Sequence, residues 1–381
     1  MPSTRSIFFS ACLGMLLFGV SLITLGSIAP ELREKFSLDA ISFGTLFSIL
    51  PFGILSGSLL FGPFADKYGY KVIFVLSGLL MFAGFQGIAY ASLGLLKVCV
   101  FLFGLGGGAI NGATNAVVSD ISETNKSANL SLLGVFFAVG ALGMPFILGI
   151  LEKKFSFELI VSSVGYLALL ATILFATLRF PVAKRAHGVS FSDVSKLLSD
   201  NFLLLIGFFL FCQSSFEAII NNWTTTYLLK KISISTSEAL YALSMYVVGM
   251  AITRIILGKA LKHVAPKTIL MASIVLLGTG CLTIQGTSSY FLSTTGLVLI
   301  GAGLAAGYPV MLGFAGDRYA SVSATAFSLV ISMGLAGSMI INYVMGLIVE
   351  HYGIQHLITM GLVLTGCMLL FSLTILRKLK S

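Results

Sequence analysis

The chain has 381 residues, 57% of them hydrophobic, with 23 Lys or Arg and 14 Asp or Glu. With 10% charged residues and a mean hydropathy of +1.02 it cannot cover its apolar surface in water, as soluble domains with about a quarter charged residues do, so lipid is its solvent. A formal net charge of +9 would point to nucleic acid in a soluble protein; here its meaning depends on where the charges fall.

A bilayer core about 30 Å thick takes roughly 20 apolar residues per helical span, and twelve such runs follow in order. The first six cover about 7–29, 42–65, 71–91, 95–118, 129–151 and 157–178, and the second six about 201–228, 237–261, 267–285, 289–315, 320–349 and 355–376. Charge or turn residues mark boundaries, as at Pro30-Glu31, Asp66-Lys67 and Asp317-Arg318. The expected fold class is all-α: a polytopic membrane protein of 12 transmembrane helices in two pseudo-symmetric six-helix bundles, residues 1–178 and 201–381, joined by a linker at 179–200. That linker is the longest stretch left over, too short for a separate soluble domain. The first run follows Arg5 as a secretory signal would, but it is too long and lacks a small-residue cleavage site, so it reads as a retained span. Cys12, Cys99, Cys212, Cys281 and Cys367 all fall inside spans without paired spacing, predicting neither a disulfide framework nor a metal site. No cofactor is expected.

The two halves repeat. Gly104, Gly106 and Asp120 recur 197 residues on as Gly301, Gly303 and Asp317, Gly140 and Gly149 recur as Gly337 and Gly346, and Gly62 recurs 196 residues on as Gly258. Glycine is common in such helices, but an offset held at 196 to 197 across three span pairs is not a chance pattern. Six spans per half is even, so both halves enter from the same side and the repeat is parallel.

With an even span count both termini share a face. That face carries fifteen basic and six acidic residues, the opposite face seven of each, and Glu217 and Arg254 cancel within the membrane. The positive-inside rule puts the termini and the linker in the cytoplasm. The net charge is therefore a topology signal, and no nucleic acid partner is expected.

Span 7 carries Gln213, Glu217, Asn221 and Thr224 within about an 80° arc at 100° per residue, one polar stripe on an apolar helix. Glu217 is the only acid in the interior of a span. An ionised, unpaired carboxyl at that depth costs several kcal/mol, so it should face a cavity or a partner, where it could take up and release a proton. In span 4, Asn111 and Asn115 lie four apart on the face of Gly104 and Gly108. Amides that donate and accept suit sugar hydroxyls, and interhelical hydrogen bonding is the competing use. The repeat sets Tyr308 opposite Asn111. Trp223, the only tryptophan, reads equally as an interface anchor or a sugar platform. Asn342 takes the slot of Pro145 at mid-membrane in span 11. Arg254 lies one turn before Gly258, near enough to the cytoplasmic surface to snorkel, which suits a structural or gating role. Gln86 reads as a packing residue.

Between spans 2 and 3 stands Gly62-Pro63-Phe64-Ala65-Asp66-Lys67-Tyr68-Gly69-Tyr70-Lys71. It resembles the signature Gly-x-x-x-Asp-Arg/Lys-x-Gly-x-Arg/Lys of the major facilitator superfamily, which implies the twelve-span transporter fold. In that fold Asp66 would meet the positively charged start of span 11, giving Gly62, Asp66 and Lys67 a gating role. Lys262 replaces the acid in the second copy, so that clasp would be one-sided.

In span 7, Glu217, Trp223 and Tyr227 stand at spacings of six and four. Together with Gly69-Tyr70-Lys71, with Tyr246, Gly249, Arg254 and Gly258 in span 8, and with Gly301, Gly303, Tyr308 and Pro309 in span 10, they resemble the fucose:proton symporter branch and its sodium-coupled glucose relatives. The span 4 pattern of that branch, Gly-x-x-Glu-x-x-x-Asn, is met by Gly108, Asn111 and Asn115, with Asn111 in place of the coupling acid. Ser21 to Ser27 in span 1 holds no carboxylate. The proton route of that branch therefore does not carry over. Glu217 is the remaining carrier for a coupled ion; otherwise the chain is a uniporter or a sodium-coupled relative.

Gly301-Ala302-Gly303-Leu304-Ala305-Ala306-Gly307 mimics a dinucleotide loop but lies in an apolar run without a strand, so helix packing explains it better. His187, His263, His351 and His356 fall in loops or at span ends, and no enzyme is expected. Three readings stay open: a sugar transporter working by alternating access, with or without proton or sodium symport; an exporter or facilitator of small amphipathic compounds; and a non-transporting receptor or scaffold. The binding residues expected are Asn111, Asn115, Gln213, Glu217, Asn221, Trp223, Tyr308 and Asn342, with Glu217 also coupling an ion and Gly62, Asp66, Lys67 and Arg254 gating. The expected partners are the solute, the ion and the lipid bilayer, for a monomer in a bacterial inner membrane.

Overall fold

The computed structural model describes residues 4–37, 40–122, 125–151, 154–181 and 191–379. Of the expected linker, residues 182–190, with Lys184, Arg185 and His187, lie outside the described residues. Backbone groups find no water in a bilayer core, so each span must satisfy its own as a helix. Twelve helical spans are long and apolar enough to cross a membrane among the described residues, in agreement with the sequence. The first six are α1 (Thr4–Ser27), α3 (Ala40–Tyr68), α4 (Tyr70–Tyr90), α5 (Leu93–Ile121), α6 (Lys126–Leu151) and α7 (Phe157–Thr177), with the short α2 (Ala29–Phe36) after α1. After α8 (Phe191–Leu198), the second six are α9 (Asn201–Ile232), α10 (Thr236–Ala260), α11 (Pro266–Gly286), α12 (Tyr290–Leu304) with α13 (Gly307–Arg318), α14 (Ser323–Tyr352) and α15 (Leu357–Lys378).

Two short helices, α2 and α8, go beyond the sequence expectation, because neither is long or apolar enough to register as a span. Pro30 falls in the first turn of α2, where the backbone needs no N–H. The larger departure is span 10, which reads as one apolar run but is interrupted after Leu304 and resumes at Gly307.

The chain divides into two compact units. One comprises Met1–Glu123, Leu133–Ser195 and Arg318–Leu329, the other Thr124–Leu132, Lys196–Asp317 and Val330–Ser381. Each is built on the same glycine contacts. In the first unit a Cβ on Gly53 would meet the Phe101 carbonyl oxygen at 2.5 Å, one on Gly104 the Leu50 oxygen at 2.5 Å, and one on Gly106 the Ser77 oxygen at 2.7 Å. In the second, Gly249 faces the Val298 oxygen at 2.5 Å, Gly301 the Tyr246 oxygen, and Gly303 the Ser273 oxygen at 2.8 Å. Glycines and partners alike recur at the 196 to 197 offset, so the repeat extends to individual backbone atoms. The glycines of the apparent dinucleotide loop are thus packing residues, which let helices approach closely where lipid provides little hydrophobic drive for association.

The ends of two helices are capped in the same repeated way. The last carbonyls of a helix have no intrahelical partner, and a cation near them is favourable. Lys35 Nζ donates to the Ala89 carbonyl at the end of α4 at 2.8 Å and pairs with Glu158 at 3.1 Å. Lys231 Nζ donates to the Ile284 carbonyl and, at 3.0 Å, to that of Gln285 at the end of α11.

Gly301→Val forces a side chain onto the Tyr246 backbone and is expected to cost about 1–3 kcal/mol, as overpacking does. Thermal unfolding of the detergent-purified protein should show a lowered Tm. Gly366→Val, at a position with open space around it, should leave Tm nearly unchanged.

Candidate functional site

The interruption of span 10 organises the polar groups of the second unit. Pro309 has no N–H to continue the ladder to the Ala305 carbonyl, and its ring crowds that turn. Gly307 leaves room for a neighbour, since a Cβ there would fall on Gln213 Oε1. Gln213 on α9 fills the gap: its Nε2 donates to the Leu304 carbonyl at 2.9 Å and to Glu217 Oε1 at 3.1 Å. Gln213 is fully buried, both of its donor hydrogens are engaged, and its Oε1 has no partner. Buried amide oxygens are rarely left so.

Around this pair lie Ser214, whose hydroxyl shares a 2.5 Å hydrogen bond with Tyr308, and Tyr246 on α10, 1% exposed with its hydroxyl unpartnered. Arg254 is buried, at 9% exposure, and its charge acts on Glu217, Tyr246 and Tyr308. The sequence suggests snorkelling to the surface. The side chain is instead buried within the protein, close enough for its charge to be felt at Glu217.

A second polar cluster lies further along α9. Asn342 Oδ1 accepts from Asn222 Nδ2 at 3.0 Å and from Trp223 Nε1 at 3.3 Å, and Asn342 Nδ2 donates to the Ser338 carbonyl at 2.8 Å. Asn221, chosen from the helical stripe, is exposed, and its neighbour Asn222 makes the contact. Sequence reasoning misses Ser214, Asn222 and the membership of Tyr246 in the buried cluster. The available signals are the adjacency of Ser214 to Gln213 and the Gly307-Tyr308-Pro309 run.

In the first unit Asn115 Nδ2 donates to the Asn111 carbonyl at 2.8 Å and to Asn111 Oδ1 at 3.2 Å. The two amides do meet, with Asn115 turned onto its own helix and Asn111 partly exposed.

Asp66 is 1% exposed and accepts from the Thr325 backbone N–H at 3.1 Å and its hydroxyl at 2.6 Å. A carboxylate at a helix start is favoured by the unpaired N–H groups there. Gly62 permits the contact, since its Cβ would meet the Ala324 oxygen, Thr325 Cα and Ser328 Oγ, each at 2.7 Å. Asp120 accepts from Tyr70 at 2.5 Å and from Ser323, the first residue of α14, at 2.7 Å. Lys67 is exposed beside the Tyr68 ring and takes no part. The contact is not one-sided. In the second unit Gly258 lies against Leu132, Ser131 donates to the Arg254 carbonyl at 2.8 Å, and Lys126 pairs with Asp317 at 2.8 Å. Lys262 in place of the acid removes one hydrogen-bond acceptor, while the close helix approach remains.

Twelve spans in a parallel repeat, a broken span and intramembrane charges define a polytopic solute transporter of the secondary type. The Major Facilitator Superfamily model matches residues 11–231 and 215–380, and the chain belongs to that family, whose members are transporters and not enzymes. It is 24% identical to the glucose/mannose transporter GlcP of Bacillus subtilis, over 95% of this chain and 92% of that one. It is 35% identical over 132 residues to the 4-hydroxybenzoate transporter PcaK of Pseudomonas putida, a match spanning 34% of this chain and only 29% of that protein. The E. coli fucose:proton symporter FucP has the same fold, with a TM-score of 0.83 at 19% identity over 97% of this chain and 98% of that one.

Gln213→Leu would leave the Leu304 carbonyl without its donor and is expected to cost about 1–3 kcal/mol, read as a lowered Tm. Gln213→Glu, in which a protonated acid can still donate, should recover part of that loss at low pH.

Proposed function

We propose that the protein moves a small hydroxylated solute, a sugar, across a bacterial inner membrane by alternating access, as a monomer with both termini in the cytoplasm, and that Glu217 carries a co-transported proton. The observation that carries this reading is Glu217, held by Gln213 beside the broken span and next to an unpartnered amide oxygen. An intramembrane carboxyl is expensive to keep unless it serves the transport cycle. Gln213, Tyr246, Tyr308 and Ser214 supply the donors and acceptors that hydroxyls need, and Trp223, oriented by Asn342, offers an apolar face to a sugar ring. In the first unit, taken by itself, Asn111 and Asn115 form a pair of amides of the kind that binds hydroxyls. Gly62 and Asp66 gate by holding the start of α14, with the exposed Lys67 adding to the positive-inside signal. The sugar-transporting relative along nearly the full chain supports the solute class. The partial likeness to a 4-hydroxybenzoate transporter supports a second reading, a facilitator of small amphipathic compounds.

Uptake into proteoliposomes of a monosaccharide panel, with and without proton or sodium gradients, tests the proposal. Glu217→Gln should abolish gradient-driven accumulation, lowering it by about tenfold or more, while solute exchange continues; full gradient dependence in that variant would remove Glu217 from coupling. Asp66→Asn weakens the contact with the α14 start by about 0.3–1 kcal/mol and should alter the transport rate with little change in KM.

A further inference from the structure

Sugar hydroxyls account for the amide, hydroxyl and phenol groups of the second unit, but they do not by themselves call for both of its intramembrane charges, Glu217 and Arg254. Arg254 lies 18 residues into α10 and Glu217 lies 15 residues before the end of α9. At 1.5 Å per residue these are about 27 Å and about 22 Å from the α9–α10 turn. The two therefore differ in depth by about one helical turn, which a long guanidinium side chain spans. The Arg254 backbone is anchored by the Ser131 hydrogen bond to its carbonyl, and its side chain is buried.

From this juxtaposition we propose, building on the transporter reading above, that the substrate is a hydroxylated monocarboxylate with the chemistry of a uronic or aldonic acid, and that its carboxylate docks on Arg254. Guanidinium and carboxylate match in bidentate geometry, and the Gln213 oxygen and the Tyr246 hydroxyl, both unpartnered, meet the hydroxyls. Charge balance then dictates the coupling. Before binding, Arg254 and Glu217 compensate one another. A solute carboxylate on Arg254 leaves one negative charge in excess at a depth where uncompensated charge is costly. A proton taken up by the Glu217 carboxylate cancels it, with no bond to the solute made or broken, so anion and proton enter together.

The groups that bond Glu217 or feel its charge fit this balance. They are Gln213 on its own helix, Arg254 and Tyr246 on α10, and Tyr308 on α13. Of the other helices beside α9, α12 has Tyr290 at its start, α15 has Cys367 with Arg377 and Lys378 in its last turn, and α14 has Tyr343, Glu350, His351 and Tyr352 toward its end. His356 precedes α15, and Lys230 and Lys231 lie in the last turn of α9. Among the described residues of these helices no second carboxylate stands at the level of Glu217.

The test compares glucuronate, galacturonate and gluconate with glucose and galactose in proteoliposomes of the full chain, with a pH-sensitive dye inside and the membrane potential clamped. At least one acid should accumulate about tenfold more with an acidic exterior than without a gradient, with one proton per anion and no net current. Arg254→Gln should raise the KM for that acid by about tenfold or more, Arg254→Lys should restore part of it, and Glu217→Gln should keep anion exchange while losing accumulation. Tm measurements on each variant separate misfolding from lost binding, and competition by the acids against wild-type uptake needs no variant at all. Uptake of neutral sugars with neither transport of nor competition by any acid overturns this inference and leaves the sugar reading standing. Failure of acids and sugars alike overturns both.

Discussion

The carbonyl of Leu304 lies inside a membrane span and, because Gly307 and Pro309 interrupt the helix, it needs a donor from elsewhere. With no water in a bilayer core, irregular backbone is tolerated only where protein groups satisfy it. Gln213 meets the need with one amide hydrogen and gives the other to Glu217. The position of the carboxyl thus depends on the interruption, since the amide that completes the backbone also orients the acid. Tyr308, in the first turn of α13, reaches Ser214 on the same helix as Gln213, so α9 makes polar contacts on either side of the break, to α12 at Leu304 and to α13 at Tyr308.

The two units share a scaffold and differ in chemistry. Glycine approaches at Gly53, Gly104 and Gly106 are repeated at Gly249, Gly301 and Gly303 with equivalent backbone partners, and lysines cap the ends of α4 and α11 at repeat-related positions. Packing tolerates little variation at these places because an added Cβ would strike neighbouring backbone at each of them. Polar positions have diverged. Asn111 corresponds to Tyr308, Asp66 to Lys262, and Lys126 to Ser323, so one unit secures its helix start with Asp66 and Asp120 while the other uses the Lys126–Asp317 pair.

Much of the fold is legible in the sequence because the bilayer imposes length, apolarity and charge asymmetry residue by residue: twelve spans, their parallel repeat, and the isolation of Glu217 and Arg254 all follow from composition along the chain. The polar stripe of α9 is legible too, and Gln213 and Glu217 do share it. Helical angle alone does not distinguish Asn221 from Asn222, which are only about 100° apart, and the choice depends on where Asn342 stands. Nor does it tell that Arg254 is buried, since a long side chain near a span end can reach water or the protein interior with equal ease.

By itself, then, the sequence determined that this chain lives in lipid, crosses it twelve times as a duplicated bundle, and keeps one acid and one base within. The tertiary structure decided which groups those charges meet. Hydrogen bonds such as Gln213 to Leu304 join residues 91 apart and require a broken helix, which a hydrophobic run conceals because lipid selects for apolar side chains whether or not the backbone beneath them is continuous.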